Sequence, residues 1–191
     1  LKFFGSTISE LTLVNILNSF DTLASYPYEE TPNEIFPSLI CLSSNGEIIA
    51  WSLDRQRLGK QRVESWQILN TLGHIDRGDL YMTDKRGVVR KRGWLEHPAV
   101  LMWKGHEWFL CLYSEAICEE WIERGYKDTM LDRFKDWRKK HPNANPNPPI
   151  WWGNELVHGS HRSKLLEKDY EHYNYYFPFD EAGMDYYWPA L

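Results

Sequence analysis

In the stretch LDRQRLGKQRVESWQIL a single carboxylate, Glu64, follows four cations, Arg55, Arg57, Lys60 and Arg62. Cations at that density stabilise the charged form of a neighbouring acid, and they also bind phosphate. An anion held in a cationic cleft suits a reaction that builds positive charge. Breaking an N-glycosidic bond does so at the sugar C1′, as an oxocarbenium ion. Lys60 stands one helical turn before Glu64, so the two side chains can meet. Crowding by Arg57 and Arg62 would lower the pKa of Lys60 and make it a nucleophile. The other route has Glu64 activate a water molecule. A fifth cation is expected to fold over this group from elsewhere in the chain, with Lys104 and Lys164 as candidates. The plain structural alternative is a solvated helix laced with ion pairs, although Lys before Glu is the weaker order for such a pair.

These residues need a helix to present them. On a 100° wheel Leu58, Trp66, Ile68, Leu69 and Leu72 share one apolar face, and Gln56, Arg57, Lys60, Glu64 and Gln67 lie opposite. Arg55 and Arg62 lean towards the apolar side, where a bare surface helix would not place them. The pattern predicts a helix over about 54–72. Upstream, LICLSSNGEIIAWSL reads as a hairpin around Asn45-Gly46. Downstream, RGDLYMTDKRGVVRKRGW reads as a Gly-punctuated basic loop that would track a phosphate backbone. A long, nearly all-apolar helix is predicted from Ala99 to Arg124, with Gly125 ending it. Shorter helices are predicted in MLDRFKDWRKK and over 156–168, separated by the extended Pro-rich loop NANPNPPIWWG.

The chain has 191 residues, enough for one domain with a substantial core. It carries ten Trp, eleven Tyr and eight Phe, more rings than a core of that size needs, which leaves several for a binding surface. No run is long and apolar enough to span a membrane, and the first twenty residues do not read as a signal peptide. Three cysteines make no disulfide framework, which favours a reducing compartment. The net charge of −5 argues at first against a nucleic-acid partner. Its distribution argues the other way: residues 1–50 hold one cation and six acids, whereas residues 51–104 hold eleven cations and six acids.

Three ordered blocks, LDRQRLGKQRVESWQIL, HPAVLMWKGHEWFLCLYSEAICEEWIERGYKDT and HGSHRSKLLEKDYEHYNYYFP, resemble the pyrimidine-dimer DNA glycosylase family, the phage endonuclease V-like enzymes. The similarity spans about residues 50–178, in the same order. It implies a compact all-helical fold and a DNA glycosylase with AP-lyase activity. Glu64 falls on the family's catalytic glutamate, and His97 on a histidine after the loop between the first two helices. Lys164 and Lys168 fall on basic positions near DNA, and Tyr173, Tyr175 and Tyr176 on a C-terminal aromatic cluster. One departure stands out. The phage enzyme attacks C1′ with the α-amine of its processed N-terminus, and the matching position here is Ser43, inside the chain.

Remaining constellations carry paired alternatives. His158 and His161 have a spacing that can ligate zinc with Cys111 and Cys118, but no CxxC or HExxH accompanies them. DNA-phosphate contact is expected from His161, Arg162 and Lys164, and core packing from the two cysteines. Trp151 and Trp152 suit either a wedge that props open a duplex or packing against the first helix. The expectation is therefore an all-α, compact helical single domain over 37–191 behind an irregular acidic extension over 1–36. It is expected to act as a DNA repair-type N-glycosylase on damaged or modified pyrimidines in double-stranded DNA. No cofactor and no metal are expected. A monomer is expected, in the cytoplasm of a bacterial or phage-infected cell. The alternatives are a non-catalytic nucleic-acid-binding module of the same fold and a nucleoside or nucleotide N-glycosidase.

Overall fold

The structure is a computed structural model, and it describes residues 48–178 and 180–189. The Asn45-Gly46 corner of the expected hairpin and the whole 1–36 extension lie outside the described residues. The segment after that corner is helix, not strand: α1 spans Ile48–Ser52. The cause lies far along the chain. The Arg124 guanidinium donates to the carbonyls of Ala50 (2.9 Å), Trp51 (3.0 Å) and Leu53 (2.6 Å), capping the end of α1.

Helix α2 runs Arg55–Asp76, close to the predicted span, because the Asp54 carboxylate accepts the N–H groups of Gln56 (2.8 Å) and Arg57 (3.1 Å) as N-cap. The basic segment after α2 is not an open loop. It forms a two-stranded antiparallel ribbon, β1 (Tyr81–Thr83) and β2 (Val89–Lys91), with Met82 opposite Arg90. Asp84 closes its turn by accepting from the N–H groups of Arg86 and Val88. All six strand residues are exposed.

The single helix expected over 99–124 is two. Helix α3 (Pro98–Leu101) starts on the His97 ring nitrogen, which accepts from the Ala99 N–H, and α4 spans Glu107–Glu123. Gly105 between them has φ +81°, a conformation that strains any side chain with a Cβ and that ends a helix. Helices α5 (Leu131–Lys140), α6 (Glu155–Lys168) and α7 (Tyr170–Tyr176) complete the described body, which is mostly helical. Both α2 and α5 pack on α4. Their core joins Leu58, Leu69 and Leu72 of α2 to Phe109, Leu110, Tyr113 and Ile117 of α4 and Phe134 of α5. Gly59 lets Trp121 approach closely: a Cβ there would meet the indole at 3.1 Å. Cys111 and Cys118 are buried in this core as free thiols, and burial pushes both thiol pKa values up.

Candidate active site

Helix α2 presents Glu64 half-buried on the face opposite the core, and among the described residues no hydrogen bond or ion pair engages its carboxylate. Arg57 and Lys60 precede it on the same face. Lys168, the last residue of α6, adds a further cation to this group, while Lys164 is ion-paired with Glu167 (2.7 Å). The Lys168 ammonium lies within the fields of Arg57, Lys60 and Glu64. Burial of the ammonium end, then the repulsion of Arg57 and Lys60, lower its pKa, although Glu64 pulls the other way and the residue as a whole is exposed.

The corner between α6 and α7 holds this arrangement. Asp169 ends α6 and caps α7, accepting from the His172 N–H (3.2 Å). The Tyr173 hydroxyl donates to the Asp54 carboxylate and accepts from the Asp54 N–H (3.3 Å), and the His172 Nε2–H donates to the Ser52 carbonyl (2.9 Å). The corner is thereby fastened to the N-terminus of α2. Burial comes first among the causes at Asp54 and opposes ionisation. Donation from Tyr173 and the Arg57 N–H outweighs it and leaves the carboxyl below its ordinary pKa.

A tail segment lies along α6, its N–H groups at Met184 and Tyr187 donating to Ser163 (2.9 Å) and Ser160 (3.0 Å). It brings Tyr186 to the site. Burial raises the pKa of that hydroxyl, Lys164 opposes the rise, and Glu167 and Glu64 add to it. The Tyr186 ring contacts Trp188 (5.3 Å between centroids) and His161 (4.9 Å), Trp188 contacts His97 (5.9 Å), and His97 stacks on Trp94 (5.1 Å). A run of rings thus leads from His97 through Trp188 to Tyr186, whose hydroxyl lies within the field of Glu64. Trp94 is half exposed with φ +69°, a left-handed backbone that costs a bulky residue about 1–3 kcal/mol. The sequence reading does not single out Trp94, Tyr186 or Trp188, the rings that the structure groups with His97 and His161. The ring density of the tail is the available signal, whereas the family resemblance points to Tyr173, Tyr175 and Tyr176. Of those, Tyr173 is buried under Asp54, Tyr175 is exposed, and Tyr176 packs edge-on against Trp51 (4.9 Å).

Several residues expected at DNA are committed elsewhere. Arg62 is buried, ion-paired with Asp128 and lying over the Trp121 ring (4.1 Å), so it supports α5 instead of crowding Lys60. Asp128 in turn accepts the N–H groups of Met130 and Leu131 at the start of that helix (2.7 Å each). Burial opposes its ionisation, but those bonds and Arg62 hold its pKa low. Arg162 is buried between Glu155 and Asp180, and His161 is buried with its Nδ1–H donating to the Val157 carbonyl (2.7 Å). Both side chains are thereby drawn into the protein interior and away from the surface a phosphate would meet. Trp151 and Trp152 are core, not wedge: the Trp151 indole donates to the Met102 carbonyl at the end of α3 (2.7 Å), and Trp152 packs on Phe109 (4.7 Å). Lys164 pairs with Glu167 (2.7 Å), and Arg55 lies over Tyr126 (5.1 Å). Among the described residues no three His, Cys, Asp or Glu side chains converge to hold a metal ion. The His158 Nε2 accepts the Gly153 N–H and the His161 Nδ1–H donates to the Val157 carbonyl, so one nitrogen of each ring is committed to the backbone.

The face that remains carries the Glu64 carboxylate, unpaired among the described residues, with Lys60, Lys168 and the Asp54-paired Arg57 around it and the ring of Tyr186 within its field. Such a face can bind phosphates beside a stacked base and hold a negative charge next to a sugar. No curated protein and no solved structure matches this chain. A family model described as pyrimidine dimer DNA glycosylase matches residues 40–134, a stretch that holds Glu64 and His97 and ends in α5, before α6 and its Lys168. Across residues 40–134, this chain belongs to the pyrimidine dimer DNA glycosylase family.

Proposed function

We propose that this protein is a DNA N-glycosylase that releases damaged pyrimidines, such as pyrimidine dimers, from duplex DNA, with Glu64 as its catalytic carboxylate. The observation that carries the proposal is the state of Glu64: half-buried, engaged by no side chain among the described residues, and set among Arg57, Lys60 and Lys168 within the family-matched stretch.

In the mechanism this supports, Arg57 and Lys60 neutralise backbone phosphates and set the duplex over α2. The ribbon β1–β2 extends the contact along the backbone. A damaged nucleotide leaves the stack and is received by the run of rings that includes His97, Trp188 and Tyr186. Stacking on aromatic faces is worth about 1–3 kcal/mol per base and tolerates altered bases. Extrusion also costs less for a base whose stacking is already disturbed, which favours a lesion. As the bond from C1′ to the base lengthens, positive charge gathers on C1′ and O4′. The Glu64 carboxylate beside it lowers the barrier, a contribution of about 3 kcal/mol if it resembles a preorganised charge-stabilising group elsewhere. Protein atoms at the site replace solvent that would otherwise screen that attraction.

The test is base release from a duplex carrying a defined pyrimidine dimer. The parent chain should release it, and Glu64→Gln should be slower by about 100-fold or more with duplex affinity and thermal midpoint unchanged. Equal, salt-sensitive binding by both proteins with no release by either would instead mark a nucleic-acid-binding module. Release from free nucleosides with none from duplex would mark a nucleoside glycosidase.

A further inference from the structure

We infer that the ribbon β1–β2 enters the major groove of the duplex, its two faces turned to the two strands that wall the groove. The inference takes duplex DNA as partner from the reading above. It adds an apolar contact that phosphate binding alone does not require.

Directly opposed residues of an antiparallel pair share a face, and neighbours along a strand alternate. Tyr81 and Val89 therefore lie on one face of the ribbon, opposite Lys91 and Thr83, and Met82 lies on the other, opposite Arg90. The described residues cover neither face: Tyr81 is 60 % and Val89 64 % exposed, and Met82 and Val88 are 45 % and 47 % exposed. An isolated two-stranded ribbon has little stability of its own. This one is clasped at its base. The Arg92 N–H donates to the Leu80 carbonyl (2.9 Å), and the Arg92 guanidinium donates to the carbonyl (3.0 Å) and the carboxylate (2.8 Å) of Asp79. Large apolar side chains left open to water on both faces of a clasped ribbon mark an interaction surface.

Shape and charge select the partner. A flat surface, whether membrane or protein, covers one face of a ribbon and leaves the other in water. A groove covers both. Side chains on both faces make a ribbon about 10 Å thick, which fits a major groove about 12 Å wide and not a minor groove about 6 Å wide. Deoxyribose carbons in its walls and thymine methyl groups on its floor offer apolar contact. Over residues 77–96 six cations stand against three acids. Among the described residues Lys85 and Arg86 at the turn have no ion pair, which leaves them for phosphates at the groove rim. The same surplus of cations disfavours a second copy of this chain, because ribbons joined edge to edge would bring like charges together.

The experiment measures the affinity of the full chain for a lesion-free duplex as a function of salt. It compares the parent with two double variants, Tyr81→Thr with Val89→Thr for one face and Met82→Thr with Val88→Thr for the other. Threonine keeps the strand preference, and the thermal midpoint reports whether each variant folds. Each pair should weaken binding by about 10-fold with the log–log salt slope unchanged, because no phosphate contact is lost. Dimethyl sulfate, which methylates guanine N7 in the major groove, should modify the duplex less when it is saturated with the parent than with either variant. Unchanged affinity for both pairs overturns the inference. So does a loss confined to one face, which would mark a flat contact, and so does full methylation of guanine N7 under the parent, a result that needs no variant to fold. Base release from a dimer duplex, followed alongside, separates the two readings. Release by the parent with unaffected ribbon variants leaves the glycosylase standing without the groove contact. Weakened binding by both pairs, with no release by the parent, keeps the groove contact and removes the glycosylase.

Discussion

Arg57 and Arg62 are five positions apart on α2, and their fates differ because the helix turns them to different sides. Arg57 pairs with Asp54 (3.1 Å) at the open face, where water screens the interaction. Arg62 is turned inward against Trp121 and pairs with Asp128, both charged groups being nearly excluded from solvent. Removing one partner of a buried pair leaves the other charge uncompensated, a loss of about 3–5 kcal/mol. Arg62→Ala should therefore lower the denaturant midpoint by about 3 kcal/mol worth of stability, and it should weaken α5, whose first N–H groups Asp128 holds. Arg57→Ala should cost at most about 1 kcal/mol while weakening duplex binding. Equal stability losses for the two would show that the inward position of Arg62 does not matter. The wheel already hinted at this difference, since it set Arg62 towards the apolar side. What the wheel lacked was the partner, because Asp128 is 66 positions away.

At the scale of elements, the helices that the sequence announced are those with local signals at their ends. Asp54 caps α2, Asn154 caps α6 by accepting from the Leu156 N–H, and α5 stops at His141 before Pro142. The misjudged elements lack such signals or depend on distant groups. Helix α1 is finished by Arg124, more than seventy positions away. The split of α3 from α4 depends on one left-handed glycine in an otherwise helical pattern. The ribbon has no buried face, so it leaves no alternation to read. The site divides the same way: Arg57, Lys60 and Glu64 follow from helical spacing, whereas Lys168 reaches them only because Tyr173 meets Asp54 119 positions earlier. The ribbon itself carries a prediction. Arg90, Lys91 and Arg92 are paired with Asp84, Glu96 and Asp79, but among the described residues Lys85 and Arg86 at the exposed turn have no ion pair. Lys85→Glu with Arg86→Glu should leave the thermal midpoint unchanged and weaken binding to any duplex. The log–log dependence of affinity on salt should become shallower by about two if each side chain meets one phosphate. An unchanged slope would remove the ribbon from the DNA-binding surface.

Across the whole molecule, stability should depend on acid through two buried groups that act in opposite directions. The His158 Nε2 accepts the Gly153 N–H (2.9 Å), which places its proton on Nδ1. Burial above all, then the charges of Arg162 and His161, push the His158 pKa down from 6.5 to about 3. The fold therefore prefers the neutral ring. Its contribution is complete above pH 6.5 and is lost as pH falls from there towards 3, with a slope of up to about 1.4 kcal/mol per pH unit. Glu115 runs the other way. Burial pushes its pKa up from 4.5 to about 7, although Arg138 (2.8 Å) and Lys135 oppose the rise, and Glu119 adds to it. Its contribution is complete below pH 4.5 and is lost as pH rises through 7. The total profile is the sum of both, so a flat curve between pH 7 and 4.5 would not mean that neither group titrates. A difference separates them. His158→Gln keeps an acceptor for the Gly153 N–H but cannot take up a proton, so the Glu115 contribution stays in both proteins and cancels. The denaturant midpoint of the parent minus that of His158→Gln, measured from about pH 7 to 4, should decline as pH falls below 6.5. Parallel curves would show that the fold accommodates a charged ring at position 158.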